Sequence, residues 1–171
     1  MSESIVTLGG NPVSLEGTPL KAGDKAPAFV LQQNSPSGLK DISLADFAGK
    51  TLILSVVPSV DTGVCALQTK KFNERAANLP DDVAIMTVST DLPFAQARFC
   101  GAEGIDKLQS ASDHRDVAFG KSYGVLITDG PFKRILARSI FIISPDGTLK
   151  YVEYVSDIAH EPNYDAALSA V

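Results

Sequence analysis

The chain has 171 residues, 44% of them hydrophobic and 20% charged, with a formal net charge of −5. That size and balance fit one globular domain over 1–171 with a sizeable core, and do not favour disorder. The negative charge argues against nucleic acid or an anionic membrane surface as partner, and no apolar run approaches the roughly 20 residues of a spanning helix.

Residues 1–10 have no basic segment and no long apolar core, so no secretory signal is read and a cytoplasmic location is expected. From Ser4 to Leu8 the pattern alternates, then Gly9-Gly10-Asn11-Pro12 interrupts it before Val13 to Leu15, which predicts a hairpin with a glycine turn. Thr18 to Pro27 is turn-rich, Phe29 to Gln33 reads as a short strand, and Asn34 to Gly38 as a loop. Ser43 to Phe47 fits one helical turn closed by Gly49. Gly49-Lys50-Thr51 resembles the tail of a phosphate-binding loop, but that signature needs a glycine where Leu44 stands and a helix where an apolar strand follows, so nucleotide binding is rejected.

Leu52 to Val57 is a nearly unbroken run of Val, Ile and Leu, as in a strand buried on both faces. Pro58 ends it, because proline cannot donate to a sheet ladder. After the turn-rich Ser59 to Gly63, the apolar residues Val64, Leu67 and Phe72 follow helical spacing, with Asp61 and Thr62 as candidate caps. Cys65 is therefore expected in the first turn of a helix. Unpaired N–H groups and the positive end of the helix dipole there favour thiolate, the nucleophilic form. The Thr62 hydroxyl, three residues earlier, lies within reach of the sulfur. On placement alone a buried, inert cysteine is the competing reading.

Asp82 to Ser89 reads as a second buried strand, and Asp91-Leu92-Pro93 opens a helix carrying Phe94, Phe99 and Cys100, with Asp91 as cap and Gly101 and Gly104 at its frayed end. Leu108 to Ser112 fits a short strand, Arg115 to Tyr123 a helix, Arg134 to Ser144 a strand, and Pro145-Asp146-Gly147 a turn into Leu149 to Val155. Asn163 to Val171 reads as a terminal helix. Strand–helix–strand units followed by a late hairpin predict an α/β fold with a mixed sheet and helices on both faces.

Pro58-Ser-Val-Asp-Thr62-Gly-Val-Cys65 matches the pattern P-x-x-x-T-x-x-C and resembles the peroxiredoxins, in particular the atypical two-cysteine thiol peroxidases of bacteria. Asp91 to Gly101, Asp129-Gly-Pro-Phe132 and Leu136-Ala-Arg138-Ser139 agree with it, so the resemblance covers nearly the whole chain. It implies a thioredoxin-like fold with an N-terminal hairpin extension, and a thiol peroxidase acting on hydrogen peroxide and alkyl hydroperoxides. It also implies Cys65 as the residue that attacks peroxide and Cys100 as the thiol that resolves the sulfenic acid into a Cys65–Cys100 disulfide. Thioredoxin is the implied reductant, and a homodimer with its contact near the active site the implied assembly.

Peroxide cleavage needs a deprotonated sulfur, a fixed cation and donors aimed at the developing negative oxygen. Thr62 can both donate and accept, and Arg138 is a permanent cation with several donors, although its place rests mainly on the resemblance. Pro58 either shields the sulfur or simply ends the strand. No cofactor is called for, and the isolated His114 and His160 do not suit a metal site. Asp61 reads as a cap or turn residue, because a carboxylate at the sulfur would oppose thiolate formation. A thioredoxin-type carrier would need Cys-x-x-Cys, and here Thr62 takes the first position. A non-catalytic scaffold or holdase is the remaining alternative, and cysteine alkylation would leave its function intact.

Overall fold

The computed structural model describes residues 6–171, so Ser4 and Ile5 of the expected hairpin lie outside the described residues. The hairpin pairs β1 (Val6–Leu8) with β2 (Asn11–Val13) in antiparallel register. Its two-residue turn works because Gly9 and Gly10 both take positive φ, +58° and +86°, which matches the twist of a tight hairpin. After β3 (Leu15–Glu16) come β4 (Val30–Ser35), β5 (Gly38–Ser43), a 3-10 turn (Leu44–Phe47) and β6 (Thr51–Val56). Then follow α1 (Gly63–Ala76), β7 (Val83–Ser89), α2 (Pro93–Glu103), β8 (Gln109–Ser112) and α3 (Ala118–Ser122). The chain closes with β9 (Leu126–Ile127), β10 (Ser139–Ile143), β11 (Leu149–Tyr154) and α4 (Tyr164–Ser169).

Among the described residues the main sheet has the order β11-β10-β6-β7-β8-β4-β5. The strands β6, β7 and β8 run parallel, while β10, β11, β4 and β5 pair antiparallel, giving the mixed sheet expected from the strand–helix–strand pattern. Every residue of β6 is buried, and successive side chains feed opposite faces. Ile53 and Val57 join Ile85, Ile140 and Ile142 under Phe72 of α1, Phe99 of α2 and Ala167 of α4. Leu52, Leu54 and Val56 join Met86, Val88 and Phe141 under Phe119, Tyr123 and the N-terminal hairpin residues Val6 and Val13. On this second face the Phe119 and Tyr123 rings stack at 4.2 Å between centroids.

Several boundaries differ from the sequence reading. Asn34 and Ser35 belong to β4, and Gly38 to Ser43 form the unpredicted edge strand β5. Its Leu39, Lys40 and Asp41 are exposed, so it carries no alternation to read, and its charges suit an unpaired edge. The helix expected over 115–123 is only α3, because Val117 takes φ 51°, a left-handed conformation that cannot continue a helix. The strand expected over 134–144 is only β10, since Arg134 has φ 71° and the chain there turns. Leu92, not Asp91, occupies the N-cap of α2, and the helix passes through Gly101 to end at Gly104 in a left-handed cap.

Candidate active site

The turn between β6 and α1 is held from below by one carboxylate. Asp91, on the link from β7 to α2, accepts from Ser59 Oγ at 2.7 Å, from Val60 N at 2.9 Å and from Ser89 Oγ at 2.6 Å. The side chain expected to cap α2 thus fastens the turn that begins α1. Pro58 is buried at the end of β6, and Asp61 is an exposed turn residue. Thr62 is the N-cap of α1, with its hydroxyl donating to the Ser59 carbonyl at 3.1 Å. Cys65 sits in the first helical turn, fully buried.

Arg138 stands immediately before β10 and is 2% exposed, so it is not a solvent-facing strand charge. Its Nη2 donates to Cys65 Sγ at 3.3 Å, its Nη1 to Gln68 Oε1 at 2.8 Å, and its Nε to the Ile158 carbonyl at 2.9 Å. Three directions of the guanidinium fork are therefore set before any substrate arrives, and a buried cation faces the sulfur. Gln68 and Ser55 complete this network and were not read as site residues. Gln68 Nε2 donates to Ser55 Oγ at 2.8 Å, and both residues are fully buried. The signal for Gln68 was its place three residues after Cys65, on the same helix face. Ser55 was a hydroxyl inside an otherwise apolar strand.

Cys100 lies on α2 against β8, packed on the core cluster that also contains Cys65. It is partly buried, its Sγ is 3.3 Å from Ser110 Oγ, and both cysteines are free thiols. Burial pushes the Cys100 thiol up from its ordinary pKa, while the Ser110 contact pulls weakly the other way. The thiol lines a groove with Pro93, Gln96, Leu108 and Lys40, between α2 and the β4–β5 hairpin. Arg138 is thus brought against Cys65, with Thr62 at the N-cap of the same helix and Pro58 buried at the end of the preceding strand, while the Cys100 thiol contacts Ser110. His114 hydrogen-bonds Gln32 through Nε2 at 2.6 Å.

The redoxin family matches residues 21–168. A thiol peroxidase of Bacillus subtilis (strain 168) is 51% identical over 165 residues, which cover 96% of this chain and 95% of that protein. The chain belongs to the redoxin family, among its thiol peroxidases. It is a peroxidase, an oxidoreductase, with the thioredoxin-like fold and N-terminal hairpin that the resemblance implied. The crystal structure of a peroxiredoxin-like protein from Aquifex aeolicus superposes on it with a TM-score of 0.89 at 43% identity, covering 96% of this chain and 93% of that one. A thiol peroxidase from Chromobacterium violaceum, 22% identical, shares the fold with a TM-score of 0.84 over 96% of this chain and 93% of its own. No helix among the described residues is long and apolar enough to cross a membrane.

Proposed function

We propose that this enzyme, one domain over 1–171, reduces hydrogen peroxide and alkyl hydroperoxides at Cys65 and resolves the oxidised sulfur with Cys100. The observation that carries the reading is the buried Arg138 guanidinium, 3.3 Å from a sulfur in the first turn of α1. The thiolate of Cys65 attacks the terminal peroxide oxygen, the O–O bond breaks, and a proton converts the departing oxyanion to water or alcohol. Arg138 stabilises the negative charge as it moves from sulfur to oxygen. The Thr62 hydroxyl, at the N-cap of the helix, donates to the Ser59 carbonyl and offers its oxygen as acceptor to the peroxide O–H, and Pro58 keeps bulk water from the sulfur. Because Cys65 is fully buried, peroxide arrives through the exposed turn at Asp61, Thr62 and Gly63.

The sulfenic acid then condenses with the Cys100 thiol, forming the Cys65–Cys100 disulfide and releasing water. A thioredoxin dithiol in the cytoplasm reduces that disulfide by two exchange steps and is itself oxidised. A depression lined by Phe94, Phe99 and Ala102 together with the charged Asp61, Arg98 and Glu103 supports acceptance of organic hydroperoxides at its apolar side. Exposed Leu67, in the second turn of α1, and exposed Leu92 and Phe94, at the start of α2, support a homodimer with its contact near the site.

The deciding assay is peroxide-dependent NADPH oxidation with thioredoxin and its reductase, run beside rapid-mixing measurements on two variants. Cys65→Ser is expected to consume no peroxide. Cys100→Ser is expected to consume about one peroxide per chain and then stall as sulfenic acid. A first turnover that survives in Cys65→Ser and vanishes in Cys100→Ser reverses the assignment.

A further inference from the structure

The N-terminal hairpin lies outside the catalytic chemistry, yet it is tied to the segment that holds Arg138. Thr7 pairs with Asp157 in a parallel bridge. Thr7 N donates to the Ser156 carbonyl at 2.9 Å, and Ile158 N donates back to the Thr7 carbonyl at 2.8 Å. The Asp157 carboxylate gathers the rest: Thr7 Oγ1 at 2.7 Å, Gly10 N at 2.8 Å, Ala159 N at 2.9 Å and Gly9 N at 3.2 Å. One side chain therefore closes the glycine turn of the hairpin onto the loop after β11. The residue following it, Ile158, presents the carbonyl that accepts Arg138 Nε at 2.9 Å.

We infer that Thr7 and Asp157 are positioning residues for the peroxidase reaction: the N-terminal hairpin clamps residues 156–159 so that the Ile158 carbonyl holds the Arg138 fork against Cys65. The path is contiguous, running from Thr7 Oγ1 through the Asp157 carboxylate and one peptide unit to Ile158 O, then through the guanidinium to Sγ. Its physical basis is directional. Gln68 fixes Nη1 from one side, and Nε needs an acceptor at a set place on the other before Nη2 can point at sulfur. A loop free to move by a fraction of an ångström lets the fork rotate, and reaction rates are sensitive to misplacement on that scale. The hairpin's glycine turn contributes two N–H donors to the clamp, which explains what a surface extension adds to a buried site.

The inference rests on Cys65 and Arg138 acting as proposed above, and the experiment separates the two. Single-turnover oxidation of reduced enzyme by hydrogen peroxide is followed for wild type, Cys65→Ser, Thr7→Val, Thr7→Ser and Asp157→Asn, with thermal unfolding of each. Loss of the reaction in Cys65→Ser upholds the underlying reading, and its survival overturns that reading. Thr7→Val keeps the side-chain shape but removes the hydroxyl, and is expected to slow the first turnover about tenfold while still unfolding cooperatively. Thr7→Ser restores the hydroxyl and is expected to stay within about twofold of wild type. Asp157→Asn, which offers an acceptor on only one side, is expected to slow in the same direction as Thr7→Val. A wild-type rate in either Thr7→Val or Asp157→Asn overturns the inference, as does a Thr7→Ser rate as low as that of Thr7→Val.

Discussion

At the scale of the residue, the site is a buried sulfur facing a buried cation whose other donors are already committed. Burying a charge is costly unless its donors find partners, and Arg138 is hydrogen-bonded to Gln68, Ile158 and Cys65. The fork also explains why lysine is not an equivalent. A lysine ammonium is a point charge without the planar geometry that reaches three acceptors at once. Arg138→Lys is therefore expected to lower the second-order rate of Cys65 with hydrogen peroxide by roughly 100-fold, about 3 kcal/mol, as for loss of one donor to a developing oxyanion. Stopped-flow oxidation of the reduced variant measures it, and an unchanged rate would remove Arg138 from the mechanism.

At the scale of the element, α1 and α2 each carry one cysteine, and each thiol has its own partner. A disulfide requires Cα atoms within about 7 Å and converging Cβ vectors. Cys100 packs against Ser110 of β8, toward the groove at the β4–β5 hairpin. Forming the proposed Cys65–Cys100 bond is expected to unwind the helix around Cys100, the first turn of α1, or both. α2 is expected to yield first, because glycine stands at position 101 in its last turn and at its left-handed C-cap, Gly104. In the proposed disulfide the closed loop would constrain the unfolded chain by roughly 4 kcal/mol, and strain in the rearranged helix would offset part of it, which would keep the bond reducible by a dithiol. Hydrogen exchange is expected to rise over 95–104, and to a smaller extent over 62–68, when reduced protein is oxidised. Equal protection in both states, with the disulfide confirmed by mass, would exclude the unwinding.

At the scale of the whole molecule, two buried or bridging carboxylates give the stability opposite dependences on pH. Burial pushes Asp113 up to about 6, although the Phe119 and Gly120 N–H groups pull it down. Between its ordinary 3.8 and about 6 the folded state binds the extra proton, so this group lowers stability as pH rises through that window and is flat above it. Asp157 behaves the other way. The Thr7 hydroxyl and the N–H groups of Ala159, Gly10 and Gly9 hold its carboxyl well below the usual range, so its contribution is full above about pH 4 and fades as pH falls further. Denaturant unfolding at intervals from pH 4 to 7 is expected to show a slope difference between wild type and Asp113→Asn, worth up to about 3 kcal/mol across the window. Parallel curves would show that Asp113 titrates normally.

The elements that the chain's own pattern determined are those whose signal is local. The apolar run ending at Pro58 is β6, and the cap-then-amphipathic stretch after it is α1 with Cys65 in its first turn, because burial on both sheet faces and helical spacing are written in consecutive residues. The paired glycines of the first hairpin and Gly147 in the last one are likewise local demands for positive φ. What the tertiary structure decided has no local signature. The edge strand β5 exists because β4 offers it a partner, and no alternation marks it. Asp91 serves the Ser59 turn rather than its own helix because β6 and β7 lie side by side. Arg138 is indistinguishable from a surface arginine until the sheet order puts it beside α1, where Gln68 and Ser55 prove to be its supports. The Thr7–Asp157 clamp joins residues about 150 positions apart. Hydrogen bonds across such separations depend on which strands become neighbours, and that is set by the packing of the whole sheet rather than by any stretch of the chain.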